Sequence, residues 1–316
     1  LGAELGNRSA SHREYLAPYW AKLKAMNLNT VIAPVSWELV EPQEGKFDWS
    51  TLDWLIEDAR KNDMRLVILW FGVWKNSMST YVPGWVKRDA RRFPRTLGPD
   101  GRAQEILSAY APATRDADAR AFAAMMARIK ALDEGRNTVL MVQVENEVGF
   151  LPVAKEGALS GDPAADERVM AAGYARFVGA VAAAGKKAYP LPMYANGAQG
   201  RPGKLPGEYP SAGPLAHLAA IWRKEAPALD FIAPDIYFPS FAGIAQGYVD
   251  AGQPLFIPEA NYVGEKRIAA NALRSIGRLN AFGYSPFAIE SADEDAVKRI
   301  GGLYAMLGSL TPLITE

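Results

Sequence analysis

Apolar positions along the chain alternate between helical spacing and short β-type runs. Leu16, Trp20, Leu23 and Met26 share one helical face, and the apolar run that follows predicts a strand. The same succession repeats down the chain. The predicted helices include 52–59, 118–133 and 167–185. The predicted strands are 1–5, 29–35, 65–70, 138–144, 187–194, 229–237, 254–260 and 284–290, of which 187–194 is the weakest because it contains two prolines.

Strands that alternate with helices predict a parallel sheet with helical crossovers. About eight such units in one chain of 316 residues predict an α/β protein with a single (β/α)8 TIM barrel over residues 1–316. A doubly wound open sheet is the alternative, but no G-x-G-x-x-G follows a predicted strand. The least regular segments, 75–117, 151–166 and 196–216, are expected over the catalytic face, and no second domain is visible.

Composition removes several classes of function. The chain has no Cys and only two His, so thiol chemistry is excluded and a His-based metal site is disfavoured; no cofactor is expected. His12 is interpreted as a helix-start residue and His217 as a loop residue. Lys and Arg number 35, as do Asp and Glu, which argues against nucleic-acid binding. No apolar run is long enough to span a membrane. The start at Leu1 suggests a removed leader or a trimmed chain, compatible with a periplasmic or secreted protein.

Polar side chains gather at the carboxyl ends of the predicted strands, where a barrel holds its functional groups. These strand-end residues are Trp37, Glu38, Trp70, Trp74, Glu145, Asn146, Glu147, Tyr194, Asn196, Asp235, Tyr237, Glu259, Asn261 and Glu290. Several strand ends thus present carboxylates to one space. Because a buried unpaired carboxylate costs several kcal/mol, apolar strands rarely finish this way without a functional reason.

Two carboxylates that face each other across a barrel mouth are suited to glycoside hydrolysis. Glu147 follows the fourth predicted strand and Glu259 lies at the end of the seventh, and these strands are near each other around the barrel. A carboxyl separation of about 5–5.5 Å would indicate retention, and one above about 6.5 Å inversion. Regular alternation places Glu145 and Glu147 on one side of the strand, so Asn146 reaches the site only if the strand bulges or ends there.

Tryptophan is concentrated in the first part of the chain, where seven of the eight residues precede position 86. Flat apolar faces of sugars stack on aromatic rings. Trp37, Trp70 and Trp74 lie at predicted strand ends and are interpreted as substrate-stacking residues, with Asn196 as a further substrate-binding residue. Core packing is the alternative for each tryptophan.

Three segments resemble glycoside hydrolase family 35, the β-galactosidases. Residues 142–149 (VQVENEVG) closely resemble the acid/base motif of that family, and residues 27–50 resemble its second-strand signature. Residues 254–260 (PLFIPEA) match the placement of the nucleophile in the wider clan of retaining (β/α)8 glycosidases.

The resemblance implies roles for individual residues. It makes Glu147 the acid/base, Glu259 the nucleophile and Asn146 the partner of the sugar 2-hydroxyl. It also implies that Tyr237 donates a hydrogen bond near the nucleophile and helps to set its charge.

The chain departs from family 35 where that family grips the sugar. Pro34 stands where a Tyr precedes the strand-2 Trp, and Val40 replaces the His of an H-E-P motif. Lys75 and Asn76 stand near the place of an A-E-W motif whose Glu holds galactose hydroxyls. The sequence therefore resembles a divergent branch near the boundary with family 42.

Three further carboxylates have open interpretations. Glu145 is a substrate ligand or a salt-bridge partner of an Arg, with the second favoured. Glu41 is interpreted as a turn-stabilising residue. Glu290 either binds substrate or pairs with Arg8 or Lys75.

Together these features predict a retaining exo-acting β-glycosidase, most closely β-galactosidase-like, acting on an oligosaccharide or polysaccharide. The alternatives are another specificity in the same clan (β-glucoside, β-xyloside or α-arabinoside) and a non-catalytic carbohydrate-binding barrel. An aldolase or lyase would need a Lys at a strand end for a Schiff base, and no predicted strand ends in one.

Overall fold

The computed structural model describes residues 1–98, 100–151, 156, 159–200 and 203–314. Eight of its strands form a closed parallel barrel, and two form a separate antiparallel hairpin. The strands are β1 (Gly2–Glu4), β2 (Thr30–Ser36), β3 (Arg65–Lys75), β4 (Arg95–Leu97), β5 (Ala103–Leu107), β6 (Val139–Asn146), β7 (Met193–Ala198), β8 (Phe231–Ile236), β9 (Phe256–Tyr262) and β10 (Gly283–Phe287). The barrel order is β1, β2, β3, β6, β7, β8, β9 and β10, closing onto β1.

The predicted TIM barrel is confirmed, and each predicted strand overlaps an observed one. The weak prediction over 187–194 is shifted, because β7 begins only after Pro192. Proline has no N–H for the ladder, so it precedes the strand. The sequence analysis did not predict the hairpin of β4 and β5, which lies inside the irregular segment 75–117.

Helices cover the outside of the barrel. They are α1 (Arg13–Leu16), α2 (Tyr19–Ala25), α3 (Trp37–Val40), α4 (Ser50–Lys61), α5 (Gly84–Arg88), α6 (Pro112–Asp133), α7 (Pro163–Ala188), α8 (Ala219–Glu225), α9 (Phe241–Asp250), α10 (Ile268–Leu279) and α11 (Glu294–Ile314). Features of the sequence explain where several of these helices begin and end. Pro163 follows Asp162, whose carboxylate accepts the N–H groups of Ala164 and Ala165, which caps α7. Asn280, in a left-handed conformation, ends α10. None of the described helices is long and apolar enough to cross a membrane.

The core has two layers that follow the alternation of side chains along the strands. An inner cluster fills the barrel and contains Ile32, Val67, Leu69, Phe71, Tyr194, Phe231 and Phe256. A larger cluster lies between the strands and the helices. Because alternate residues of a strand point to opposite faces, each residue near a strand end belongs to the mouth or to the outer layer according to its parity.

Candidate active site

Glu147 and Glu259 meet at the carboxyl end of the barrel. Glu147 directly follows β6 and Glu259 lies in β9, which are the fourth and seventh barrel strands. One carboxylate oxygen of each, with one of Asp235 from β8, forms a group whose members all lie within 4.8 Å of one another. All three residues are buried. This spacing of single oxygens fits the short carboxyl separation of a retaining pair.

An irregular end of β6 sends Glu145 and Glu147 in different directions. Both residues have left-handed backbones, with φ of 64° and 47°, a region that residues other than glycine rarely adopt. The pairing of β6 with β3 also shifts between Trp70 and Lys75, which is the signature of a bulge. The bulge ends the regular alternation, as Asn146 requires if it is to reach the mouth.

Glu145 belongs to the outer layer. It accepts the N–H groups of Val73 (3.0 Å) and Trp74 (2.7 Å), and its carboxyl group hydrogen-bonds that of Asp118 on α6. Burial, and then the neighbouring Asp118, raises the pKa of Glu145 well above its usual value. Gly72 makes room, since a Cβ there would lie 2.4 Å from Glu145 Oε1. The favoured Arg partner is wrong: the partners are a carboxyl group and two backbone amides.

Glu147 has the environment of a general acid. Burial, and then the charge of Glu259, raises the pKa of Glu147 to about 7, while the Lys75 ammonium limits the rise. Nδ2 of Asn76 donates a hydrogen bond to Glu147 Oε2, and Oδ1 of Asn196 accepts the Glu147 backbone N–H at 3.0 Å. Glu147 can therefore hold a proton near neutral pH at a fixed position, as proton donation to a leaving oxygen requires.

The two carboxylate oxygens of Glu259 differ in their contacts. The hydroxyl of Tyr237 donates a hydrogen bond to Oε1 of Glu259. Oε2 is buried and has no hydrogen-bond partner among the described residues. Burial, and then the charge of Glu259, raises the pKa of Tyr237, so the phenol remains a donor. The Tyr237 contact expected from the resemblance is present.

Asn196 connects the acid to Asp235. Its Oδ1 accepts from the Glu147 backbone, and its Nδ2 donates to Asp235 Oδ2 at 2.5 Å. Burial, and then the charges of Glu259 and Glu147, raises the pKa of Asp235 well above its usual value. Asn196 thus holds the acid and Asp235 in position. The expected substrate contact is not observed, because Asn196 is absent from the described residues that line the mouth.

Lys75 and Glu4 complete the charged floor of the mouth. Lys75 is the last residue of β3 and Glu4 the last of β1, and both are buried. Burial opposes the charge of Lys75, but carboxylates led by Glu259 and Glu147 outweigh it and raise the pKa of the ammonium. Burial, and then the charge of Glu259, raises the pKa of Glu4 well above its usual value.

The expectation that no strand ends in a lysine is therefore wrong. The reason is the bulge, which carries β3 five residues beyond its predicted end at Trp70. The finding does not favour Schiff-base chemistry, which needs a neutral amine and hence a lowered pKa. Lys75 instead acts as a counter-charge that lets several buried carboxylates coexist.

Asn146 is buried at the end of β6. Its Oδ1 accepts the backbone N–H of Asn76 at 3.4 Å. Within the described part of the chain, its Nδ2 has no hydrogen-bond partner. A buried amide donor without a partner is costly, so a ligand hydroxyl at this point would complete it.

The three strand-end tryptophans lie in the core, not in the mouth. Each is at most 1% exposed. Trp37 donates to Glu41 (2.8 Å) and Trp70 donates to Asp118 (2.8 Å). Trp74 packs against two aromatic rings of α7. The interpretation of these residues as sugar-stacking platforms is corrected, and their core alternative holds.

The alternation of side chains along β3 explains this placement. Leu69 and Phe71 belong to the inner cluster, so Trp70 between them points outward to α6. Trp37 begins α3, after β2 has ended. The error was to treat position near a strand end as sufficient and to ignore which face the residue occupies.

Glu290 is also a structural residue. It accepts a hydrogen bond from Ser9 Oγ at 2.5 Å and from the Gly6 N–H at 3.1 Å. The predicted eighth strand extends to Glu290, but β10 ends at Phe287 and Ala288 turns the chain with φ of 56°. Glu290 therefore fastens the loop after β1 and does not line the mouth, and neither Arg8 nor Lys75 is among its partners in the described residues.

The remaining sequence interpretations have mixed outcomes. Glu41 does stabilise a turn, because it accepts the Gly45 N–H (2.7 Å) and also binds Arg120 (3.1 Å). His12 precedes α1 without a side-chain capping bond. His217 lies in a short 3-10 turn after β7, where it bonds Glu167 at 2.9 Å.

One wall of the mouth is aromatic, and it contains three residues that the sequence did not single out together with the predicted Tyr237. The mouth is a cavity of about 360 Å³. Its polar side contains Asn7, Lys75, Asn76, Glu147, Asp235 and Glu259, and its aromatic side Tyr237, Phe238, Tyr262 and Phe287. Tyr262 is 60% exposed, and its ring centroid lies 5.3 Å from that of Tyr237 and 6.0 Å from that of Phe287. The available sequence signal for Tyr262 and Phe287 is that they end the last two barrel strands.

Glu147, Asp235 and Glu259 are also the residues that could hold a metal ion, by the spacing of their oxygens. Lys75 already supplies a positive charge beside them. The acid and nucleophile chemistry of such a carboxylate pair needs no metal.

Fold and site define a barrel of the glycoside hydrolase class. A family model described as "Beta-galactosidase", that of glycoside hydrolase family 42, matches residues 10–155. The match covers less than half of the chain and includes Glu147 but not Glu259. It confirms the predicted class, a β-galactosidase-like glycoside hydrolase. Family 35 finds no support, and the matching family is the one that the sequence placed next to it.

Solved structures share the fold across the chain. A β-amylase catalytic domain from Paenibacillus polymyxa has 11% identity and a TM-score of 0.73, and covers 98% of this chain and 97% of that one. A β-galactosidase from Bacillus circulans sp. alkalophilus has 15% identity and a TM-score of 0.72, with 99% and 56% covered. An exo-β-1,4-mannosidase from Opitutaceae bacterium strain TAV5 has 13% identity and a TM-score of 0.64, with 98% and 59% covered.

These identities show the fold alone. The chain spans little more than half of the β-galactosidase and mannosidase chains, and nearly all of the amylase domain. Among curated proteins, none matches this sequence.

Proposed function

We propose that the protein is a retaining, exo-acting β-glycosidase that removes a terminal β-linked sugar, with galactose as the first candidate. The observation that carries this proposal is the pair of buried carboxylates, whose oxygens lie within 4.8 Å of one another and of Asp235. One member, Glu147, has its pKa raised to about 7. The other, Glu259, presents an oxygen without a partner among the described residues.

The reaction then has two steps on these two groups. Oε2 of Glu259 attacks the anomeric carbon while Glu147 gives its proton to the leaving oxygen, which forms a covalent glycosyl-enzyme. Glu147, now ionised, removes a proton from water, and the hydroxide oxygen displaces Glu259. The Tyr237 hydroxyl holds the other oxygen of Glu259 throughout.

Asn146 and Lys75 have places in this scheme. The unpartnered Nδ2 of Asn146 supports a hydrogen bond to the 2-hydroxyl of the sugar. The ammonium of Lys75 keeps the carboxylate group from accumulating several negative charges.

The choice of sugar stays open between galactose and other β-linked sugars or α-arabinose. The departures at Pro34 and Val40 remove contacts that the family resemblance would lead one to expect. Glu290, a candidate substrate ligand, lies away from the mouth. Both galactosidases and a mannosidase share this fold, so the fold does not decide the sugar.

The test is hydrolysis of p-nitrophenyl β-galactoside, β-glucoside, β-xyloside, β-fucoside and α-arabinoside by the wild type and by Glu259→Ala. We expect turnover of at least one glycoside and a loss of about a thousandfold or more in the variant. Absence of turnover on the whole panel, with binding of oligosaccharide retained, would instead support a non-catalytic carbohydrate-binding barrel.

A further inference from the structure

A second cleft lies beside the mouth, outside the carboxyl ends of β7 and β8. It measures about 460 Å³. Its walls are the segment after β7, including Gln199, Tyr209 and His217, and one face of α9, including Gly243 and Gly247. None of the steps proposed above uses this cleft.

Gln199 connects the cleft to the mouth, because it lines both. Its Nε2 donates to the Gly197 carbonyl at 2.6 Å and to the Tyr248 hydroxyl at 3.0 Å, and Tyr248 in turn donates to the Pro214 carbonyl at 2.7 Å. Both N–H groups of the amide are therefore used within the protein. The carbonyl oxygen of Gln199 is left as a fixed acceptor between the two cavities.

The lining of the cleft combines polar groups with apolar surface. His217 and Tyr209 are both fastened to Glu167, at 2.9 and 3.0 Å, so their positions are set. Oγ of Ser240 is buried and, within the described residues, has no hydrogen-bond partner. Leu215, Ala216 and Ile244 add apolar surface. Sites that hold polyhydroxylated ligands need this mixture of fixed hydrogen-bonding groups and apolar contact.

The exo action proposed above decides which part of a substrate this cleft takes. β7 and β8 lie between β6, which leads to the acid Glu147, and β9, which holds Glu259, so the cleft lies beside the carboxylate pair. The acid gives its proton to the oxygen of the leaving group. An exo-acting enzyme holds one terminal sugar in the mouth, and the rest of the chain continues on the side of the leaving group.

We propose that this cleft binds the second and later sugar units on the leaving-group side of an oligosaccharide substrate. The inference rests on the proposed glycosidase function and adds to it that the substrate is an oligosaccharide of three or more units. Gln199 and Ser240 contact sugar hydroxyls, and the glycine face of α9 leaves the space that the ring occupies.

Two glycines allow the cleft to be filled without disturbing the fold. A Cβ at Gly243 would meet nothing within 4 Å, and one at Gly247 would meet only the Ala216 Cβ at 3.6 Å. Both lie inside α9, where a larger residue also favours the helix. Gly277 in α10 is exposed with nothing within 4 Å of its Cβ, which makes Gly277→Leu the matched control.

The experiment measures kcat/KM for Gly243→Leu, Gly247→Leu, Gly277→Leu and the wild type on two kinds of substrate. One is the p-nitrophenyl glycoside that the wild type hydrolyses best, and the other is the β-linked di-, tri- and tetrasaccharide series of the same sugar. We expect the wild-type kcat/KM to rise from disaccharide to tetrasaccharide by about tenfold, which corresponds to ~1.4 kcal/mol. The two cleft variants should lose that rise while keeping aryl glycoside activity within about twofold.

Three outcomes count against the inference. They are a wild type that does not distinguish di- from tetrasaccharide, cleft variants that keep the rise, and a control that loses it as well. If the aryl glycoside and every oligosaccharide resist the wild type, the proposed glycosidase function fails first, so the two failures are distinguishable. Far-ultraviolet circular dichroism of each variant verifies the fold.

Discussion

The two sides of the barrel differ in what their aromatic residues do. On the side of β2 and β3, Trp37, Trp70 and Trp74 are at most 1% exposed and pack between strands and helices. On the side of β8 to β10, Tyr237 and Tyr262, with Phe287 beside them, line the mouth next to Glu259. The sequence is rich in tryptophan on the first side, yet the surface available to a sugar lies on the second.

The difference shows that the face of a strand decides a role that residue type cannot. Trp70 lies one residue from Phe71, which is in the inner cluster, and the two point in opposite directions. The same rule applies to carboxylates, since Glu145 belongs to the outer layer and Glu147 to the mouth after a bulge. Substitutions on the side of β8 to β10 should therefore lower activity, whereas those at the tryptophans should lower stability.

The largest effect is expected at the acid. Glu147→Ala should lower kcat/KM for an alkyl β-glycoside, whose leaving group needs protonation, by about a thousandfold or more. For a 2,4-dinitrophenyl glycoside, whose leaving group needs no proton, kcat/KM should fall much less. Steady-state kinetics on the two substrates measure this contrast, with exposed Glu14→Gln as a control that changes neither. Equal losses of kcat/KM on the two substrates would show that Glu147 is not the general acid.

The next effect is expected on the aromatic side. Tyr262→Ala removes an exposed ring beside the nucleophile and should raise KM by about tenfold, ~1.4 kcal/mol, with kcat changed little. Initial rates over a range of substrate concentrations separate the two parameters. If Tyr262→Ala binds substrate as well as the wild type, sugar contact is not made on this wall.

A third effect concerns pH. Because Glu147 must be protonated to act and its pKa is raised to about 7, kcat/KM of the wild type should decline as pH rises through about 7. Lys75 lowers that pKa, so Lys75→Gln should move the decline to higher pH. The pH profile of kcat/KM for both proteins measures the direction. A decline that moves to lower pH, or stays in place, would contradict the counter-charge assigned to Lys75.

The smallest effect on activity is expected on the tryptophan side. Trp70→Phe removes the hydrogen bond from the Trp70 indole N–H to the buried Asp118 carboxyl group, which should lower the free energy of unfolding by about 1–3 kcal/mol. Because Trp70 lies outside the mouth, kcat/KM should stay within about threefold. Urea unfolding and the aryl glycoside assay test the two statements. A large loss of activity with unchanged stability would indicate that Trp70 contacts the substrate.

The sequence was sufficient for the barrel and for the two glutamates, because alternating elements and strand-end carboxylates are local patterns. It was not sufficient for Lys75, which reaches the mouth only through a bulge that lengthens β3. The sequence also did not predict the position of Glu290, because the turn at Ala288 depends on one residue with φ of 56°. Bulges and left-handed residues other than glycine have weak sequence signals, and they decide where a side chain at a strand end points.

We propose that Glu147 and Glu259 work as a retaining pair. Proton NMR of the sugar released in the first minutes of hydrolysis, before mutarotation, tests it directly. We expect a β-glycoside to release the β-anomer, because two displacements at the anomeric carbon restore its configuration. Release of the α-anomer would mean a single displacement by water and would contradict the role of Glu259 as nucleophile.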